Sequence, residues 1–455
     1  MRYAMRLSKI LQISLGSTFR GRVWVFIFFF SVNLFSVVVF NKFIQPQGYE
    51  YEAIARSLLE GTGYSGAFTG GAFGHSSFMA PLYPGLIYLS FKIFGAGNWW
   101  PIQLFQVLLL SLVPLVLLMI RKKLFADHPG LSWGILLLPC IVPFTMFSAY
   151  IGPASILTLL ITTGFYLLIV TAEQPRWSYF IGLGILAGIT GLTDPVPVLF
   201  FVVGFTWLLF RLRGRAVIRW LVGGLIAFVL VIPWLYRNYR EFGAFPVVKI
   251  QTGWNLWWGN NPFATGGIHN KDGGEYTVVF DALSPAEKDS LIHWNEWERD
   301  RFYMHKAFGA IRNWIRTDPL GYLKLKFKSL LFYWFGDAWN LNLQKALVMR
   351  GADPRLSIFF TLTLIPSAFL LIFGVTGLII ALVRQNSRAN TILFLLILIF
   401  WSSIYMITHG HTFNRYRIPL DPILLMYSVL SLNWFINLSR STKVVTKSSE
   451  KEEGR

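Results

Sequence analysis

Residue types suited to acid–base and phosphate chemistry collect in two short segments near opposite ends of this chain. One is Gln47-Gly-Tyr-Glu-Tyr-Glu-Ala-Ile-Ala-Arg56, which carries Glu50 and Glu52 and is followed by Glu60. The other runs from His409 to Asp421 and holds His409, His411, Asn414, Arg415 and Arg417. A positioned carboxylate takes a proton from an attacking hydroxyl. Arginines grip phosphate oxygens with a planar fork of donors, and two of them two residues apart share a face if the chain is extended there. Arg237 and Arg240, in Tyr236-Arg-Asn-Tyr-Arg-Glu-Phe-Gly243, add positive charge of the same kind. An acidic and a basic loop at one lipid–water boundary would suit an enzyme acting on a lipid-linked phosphate.

Each of these residues also has a purely structural reading. The stretch Tyr49–Leu59 has helical amphipathicity, with Tyr51, Ile54, Ala55 and Leu58 on one face and Glu52 and Arg56 spaced for a surface i,i+4 pair. Glu50 sits where a carboxylate favours a helix N-terminus. Arg415 and Arg417 could snorkel at the interface, or pair with Asp421. Asp194-Pro195 is a cap-and-first-turn signal for the following helix, although it places an acid at the same boundary. His75, His269, His293 and His305 are scattered without ligand spacing, so the sequence supplies no set for a divalent metal and the cofactor is left undetermined.

The elements that must position these residues are membrane helices. The chain is 54% hydrophobic and only 14% charged, against about a quarter charged in soluble domains. Apolar stretches reach the roughly 20 residues that cross the hydrocarbon layer, and the alternating pattern of a membrane β-barrel is not visible. About ten spans are expected, at 23–40, 100–120, 131–147, 153–171, 178–193, 196–210, 221–236, 356–383, 391–408 and 419–437. Residues 82–95 and 321–336 are expected to lie at the interface or dip part-way in, since either one counted as a span would invert everything after it.

The net charge of +19 reads as membrane orientation and contact with anionic lipid head groups rather than nucleic-acid binding. With a cytoplasmic basic tail at 1–22, the loops holding Arg121, Arg176, Arg211 and Arg384 all fall inside, as does the polar tail at 438–455. Residues 23–236 then form an N-terminal transmembrane module with an outer loop at 41–99. Residues 237–355 form a second outer region, and 356–437 the C-terminal membrane helices. Within the second outer region, residues 284–316 read as a helix opened by Ser284-Pro285 with Glu287 as a capping-box partner. The apolar segment at 23–40 reads as an uncleaved signal anchor. The lone Cys140 excludes an intrachain disulfide. Span interiors nearly devoid of charge argue against a proton-coupled carrier.

Several stretches, in order, resemble bacterial membrane glycosyltransferases of the GT-C fold, the group related to protein O-mannosyltransferases and aminoarabinose transferases. They are Tyr51-Glu-Ala-Ile-Ala-Arg56 through Tyr64, Pro81-Leu-Tyr-Pro84 through Gly95, Pro233-Trp-Leu-Tyr-Arg237 through Gly243, Asn255-Leu-Trp-Trp-Gly-Asn-Asn-Pro262, and Arg415-Tyr-Arg-Ile-Pro-Leu-Asp-Pro422. The resemblance implies an all-α polytopic bundle with interfacial helices in a bacterial inner membrane. It implies a polyprenyl-phosphate sugar as donor, and a glycan, lipid or protein as acceptor on the extracytoplasmic face. It further implies inverting transfer of a hexosyl or pentosyl group, with a loop carboxylate as base (Glu50, Glu52 or Asp194). Arg415, Arg417, Arg237 and His411 would hold the departing phosphate. Two positions depart from the pattern. Gln47 stands where the family usually has an aspartate, and Asp194 where relatives often have a basic residue. A non-catalytic or transporter-like protein that binds lipid-linked sugars is the alternative expectation.

Overall fold

The computed structural model describes residues 15–43, 45–66, 74–214, 216–243, 247–274, 277–349, 351, 355–383, 388–408 and 415–453. Among these residues the chain is helical, with one isolated backbone bridge between Ser65 and His75. Helix α1 (Phe19–Phe43) leads to the short α2 (Tyr49–Leu59), then α3 (Leu82–Phe94) and α4 (Trp100–Leu124). A 3₁₀ stretch (Pro129–Cys140) precedes α5 (Val142–Met146), α6 (Ala154–Glu173), α7 (Trp177–Thr193), α8 (Val198–Arg211) and α9 (Val217–Phe242). The long segment after α9 holds α10 (Thr252–Asn260), α11 (Thr277–Phe280), α12 (Pro285–His293), α13 (Glu296–Thr317) and α14 (Pro319–Phe335). A 3₁₀ turn (Gly336–Trp339) and α15 (Leu341–Met349) lead to α16 (Arg355–Val383), α17 (Arg388–Ile407) and α18 (Asp421–Glu453).

By length and composition, six helices among the described residues are able to cross a membrane: Phe19–Phe43, Trp100–Leu124, Ala154–Glu173, Val217–Phe242, Thr361–Val383 and Arg388–Ile407. The 26 residues of α9 extend about 39 Å, more than the hydrocarbon thickness. Its Leu225, Phe228 and Val229 are more than half exposed, which suits a lipid-facing surface. Helices α7 and α8 are shorter but apolar, and they coincide with the expected spans. Helix α18 is buried on every side over residues 421–431, so it runs through the bundle core.

Close helix contacts rest on small residues, as is usual where lipid removes the hydrophobic drive for helix association. A Cβ on Gly184 of α7 would lie 2.3 Å from the Gly223 carbonyl of α9. One on Gly377 of α16 would lie 1.9 Å from the Tyr427 carbonyl of α18. Around these contacts a core of aromatics forms, with Phe165 edge-on to Phe394 and Phe394 stacked on Tyr427.

Three expectations about the elements need correction. The expected span at 131–147 is a 3₁₀ stretch followed by the five-residue α5, because Pro139 and Pro143 each lack an N–H and crowd the preceding turn. The expected helix at 284–316 is two helices. Ser284 and Glu287 form the foreseen capping box, but Asn295 and Glu298 form a second one that starts α13 afresh. In α14, Lys324 and Lys328 are exposed as an interfacial helix requires, whereas Lys326 is buried. Its ammonium donates to the Gly259 carbonyl at 2.8 Å and the Ile407 carbonyl at 3.0 Å, at the C-terminal ends of α10 and α17. A cation is favoured at both ends by the helix dipole. This contact docks the long segment onto the bundle.

Candidate active site

At one end of the bundle, α6 and α8 begin and α7 and α17 finish. A small cavity there, about 30 Å³, is walled by Tyr51, Tyr150, Asp194, Tyr405, Arg415 and Tyr416. Its residues come from both ends of the chain. Helix α2 reaches it because Tyr51, Ile54 and Ala55 bury against Phe78, Tyr83 and Ile87, with the Tyr51 and Tyr83 rings edge-to-face at 5.1 Å. That is the apolar face read from the sequence. The backbone entering α2 is constrained. Tyr49 takes a φ of 45°, a region that costs a non-glycine residue roughly 1 kcal/mol or more. A Cβ on Gly48 would meet the Glu52 side chain and the Trp99 ring at 2.7 Å.

Two glutamines of α4, one turn apart, hold the opposite wall. Gln103 Nε2 donates to the Ala149 carbonyl at 2.9 Å and exchanges hydrogen bonds with Asn41. Gln106 Nε2 donates to the carbonyls of Ser148 and Tyr150 at 3.1 Å, while its Oε1 accepts from the Tyr83 hydroxyl at 2.6 Å. Both side chains are fully buried. They fix the irregular backbone of residues 148–152, which presents Tyr150 to the cavity. Sequence reasoning missed Gln103, Gln106 and Tyr150. The available signal was a pair of amides at i,i+3 inside an otherwise apolar span.

The expected site residues separate into two groups. Glu50, Asp194 and Arg415 come together. Arg415 Nη2 lies 3.3 Å from the Tyr416 hydroxyl, its guanidinium stands 5.0 Å from that ring, and it hydrogen-bonds the Tyr150 hydroxyl. Among the described residues no carboxylate lies within ion-pair distance of Arg415. Glu50 is near enough to act electrostatically on Arg415, Tyr51 and Tyr150. Its half-buried carboxylate makes no hydrogen bond or ion pair with a described residue. Burial raises the phenols of Tyr51 and Tyr150 above their ordinary range, so both keep their protons at neutral pH. Asp194 does not cap α8 directly, since that helix begins after Pro197. Instead Asp194 Oδ1 accepts from Val196 N at 3.1 Å and its other oxygen meets Lys249 at 3.6 Å.

The second group does not line the cavity, and each of its described residues is engaged by protein partners. Glu52 accepts from Arg56 Nε and Nη2 at 2.9 and 2.7 Å and from Gly48 N at 3.2 Å, the surface pair that the spacing allowed. Arg237 donates to the carbonyls of Ser76 and Tyr64 and to the side chains of Ser77 and Asn238, between the Tyr64 and Trp234 rings. Arg417 is fully buried. Its Nε donates to Asp421 Oδ1 at 2.7 Å and its Nη2 to Asp421 Oδ2 at 3.2 Å and Ser367 Oγ at 3.1 Å, while Nη1 donates to the Trp334 carbonyl. A guanidinium has five donors: Arg417 has no fork left for phosphate, and both terminal nitrogens of Arg237 are already engaged by protein. His411 and His409 lie outside the described residues. Among the described residues no three His, Cys, Asp or Glu side chains group as metal ligands.

Residues 78–236 match the family described as dolichyl-phosphate-mannose-protein mannosyltransferase. The match covers about a third of the chain and falls in the group that the sequence resembles; among the described residues the chain is all-α, with several helices able to cross a membrane. The matched stretch contains Gln103, Gln106, Tyr150 and Asp194, and stops short of Glu50 on one side and Arg415 on the other. Among solved structures, ArnT from Cupriavidus metallidurans bound to undecaprenyl phosphate is 14% identical, with a TM-score of 0.42 over 90% of this chain and 78% of that one. The archaeal oligosaccharyltransferase AglB from Archaeoglobus fulgidus, in complex with an inhibitory peptide and a dolichol-phosphate, is 13% identical with a TM-score of 0.48. It is matched over 94% of this chain, which spans about half (52%) of its length. No curated protein matches the chain.

Proposed function

We propose that the chain is a glycosyltransferase that moves a sugar from a polyprenyl-phosphate donor to an acceptor hydroxyl at the extracytoplasmic face. The observation that carries this reading is the meeting, at one end of the bundle, of a carboxylate (Glu50) and a cation (Arg415) that make no ion pair among the described residues with two protonated phenols (Tyr51, Tyr150). Arg415 faces the phosphate and takes up the charge that grows on it as the bond from the anomeric carbon to the phosphate oxygen breaks. The phenols donate hydrogen bonds to the same oxygens. Pre-placed donors of this kind stabilise a leaving group without protonating it. Glu50 accepts the proton of the acceptor hydroxyl as its oxygen attacks the anomeric carbon from the opposite side, giving inversion. Asp194, held by Lys249, braces the wall between them. The present cavity has room for little more than one water, so a sugar phosphate enters as the side chains around it move.

Reconstituted protein with a radiolabelled polyprenyl-phosphate sugar tests the assignment of the base. Glu50→Gln is expected to keep donor binding and to slow transfer by about 100-fold or more, the scale of general-base catalysis. Glu52→Gln, which removes only a surface pair, is expected to change the rate by less than about twofold. Equal rates for Glu50→Gln and wild type would remove Glu50 from the mechanism. A wild type that binds donor and never transfers it would favour the non-catalytic alternative.

The placement of the site is checked by labelling with a membrane-impermeant thiol reagent in a Cys140→Ala background. Cysteines placed at Ser65 and Thr265 are expected to react from outside, and one at Ser387 only after the membrane is opened. The reverse pattern overturns the orientation.

A further inference from the structure

A second, larger cavity of about 440 Å³ lies within the long segment between α9 and α15, a volume in the range of small-molecule sites. Its apolar wall includes Phe78, Trp254, Phe280 and Tyr303, with Trp254 edge-on to Phe280 at 5.7 Å and to Tyr303 at 5.1 Å. Flat aromatic walls suit the C–H faces of a sugar ring, and the volume suits one or two rings. Four charged residues line the same space, and they differ in how far they are engaged. Glu296 is committed to Ser76 Oγ and Ser77 N, both at 2.7 Å. Asp300 accepts from the backbone amides that open α10, including Trp254 N at 3.1 Å. Lys288 is exposed and makes no ion pair among the described residues. Arg299 spends only its Nε, on the Trp294 carbonyl at 2.9 Å, and its terminal nitrogens meet no carboxylate there. Both acids spend oxygens on protein donors and Arg299 also acts on Glu296 through space, so the donors left over at this wall, Lys288 and the terminal nitrogens of Arg299, are the cationic ones and suit an anionic group.

The cavity abuts the candidate active site. Ile250 lines the larger cavity, and the next residue, Lys249, reaches Asp194 in the smaller one. The Ile250 amide donates to the Ser77 carbonyl at 2.8 Å, and the same strand of chain carries Phe78 into the larger cavity and packs it beside Tyr51 and Tyr83. The segment Lys249–Ile250 therefore joins the edges of the two spaces.

We propose that the larger cavity is the acceptor subsite and that it holds an anionic saccharide, a sugar bearing a carboxylate or a phosphate. The proposal rests on the transferase reading above. Lys288 and Arg299 pair with the acidic group, the aromatic wall takes the ring, and a hydroxyl of the bound sugar is directed across Lys249–Ile250 toward Glu50 and Arg415.

Calorimetric titration of the full chain in lipid nanodiscs tests it with three probes: digalacturonate, mannose 6-phosphate and neutral lactose. At least one anionic probe is expected to bind about tenfold more tightly than lactose, the scale of one charge-assisted contact. Whether digalacturonate or mannose 6-phosphate leads distinguishes carboxylate from phosphate. Lys288→Glu should erase that margin, Phe280→Ala should weaken all three probes, and Lys271→Glu, an exposed change elsewhere, should alter none. Lactose binding as well as both anionic probes, no binding of any probe, or a margin unchanged in Lys288→Glu overturns the proposal. Polyprenyl phosphate is titrated in parallel, and Lys288→Glu should leave its binding unchanged. Normal polyprenyl phosphate binding with no preference for acidic sugars sinks the subsite and spares the transferase. Acidic-sugar binding without polyprenyl phosphate binding does the opposite.

Discussion

Arg415→Ala is expected to lower sugar transfer by about 1,000-fold, the upper range for removing one pre-placed electrostatic donor from a water-poor site. The reason is geometric. Arg415 is half-buried, packed on the Tyr416 ring and hydrogen-bonded to Tyr150, and it has no carboxylate partner among the described residues. Removing it leaves the departing phosphate with only two neutral phenols. Arg415→Lys should recover little, because a point charge on a flexible stem replaces neither the fork nor the ring contact. Steady-state rates and polyprenyl phosphate binding, measured on each variant, separate loss of catalysis from loss of binding. Turnover within about threefold of wild type in Arg415→Ala would exclude its role at the leaving group, since even the modest end of such contacts exceeds that.

Arg417→Ala should act on a different quantity. It leaves Asp421 fully buried with its partner gone, a change that costs about 3–5 kcal/mol in comparable buried pairs. The Trp334 carbonyl and Ser367 hydroxyl lose a donor as well. The expected result is a large drop in thermal stability in detergent, with activity lost only as the protein unfolds. Joint replacement by Arg417→Met and Asp421→Asn should restore part of the stability, because neither leaves a lone charge buried and both keep the volume of the residue they replace. An unchanged melting profile for Arg417→Ala, or a double variant no more stable than the single one, would contradict the structural role.

These two arginines also mark the limit of what the sequence reveals. Their spacing suggested a shared face, on the assumption of an extended chain. Residues 415–420 instead form a turn, with Leu420 N donating to the Arg417 carbonyl at 2.8 Å, so the pair diverges into unrelated surroundings. Local features fared better. The Glu52–Arg56 pair, the buried face of α2 and the Ser284 capping box all depend on spacing within one or two turns, and all are present. The interruption of 131–147 was written in its prolines but masked by its hydrophobicity. Tyr150 could not be singled out, because its placement depends on Gln106, 44 residues away, and on the irregular backbone that this amide secures. The larger cavity was likewise hidden, since its walls meet only through contacts such as Glu296 to Ser76, 220 residues apart.

The small cavity is assembled from Tyr51 near the start of the chain and Arg415 near its end, and this has a consequence for biogenesis. While the chain emerges from the ribosome and its helices enter the bilayer one after another, the acidic half of the site waits through most of synthesis without its cationic half. A chain stalled before residue 415 can be inserted and partly packed yet hold no complete site. On the proposed assignment the protein stays inert until insertion is nearly finished, and quality control has the whole of that interval in which to remove unfinished copies.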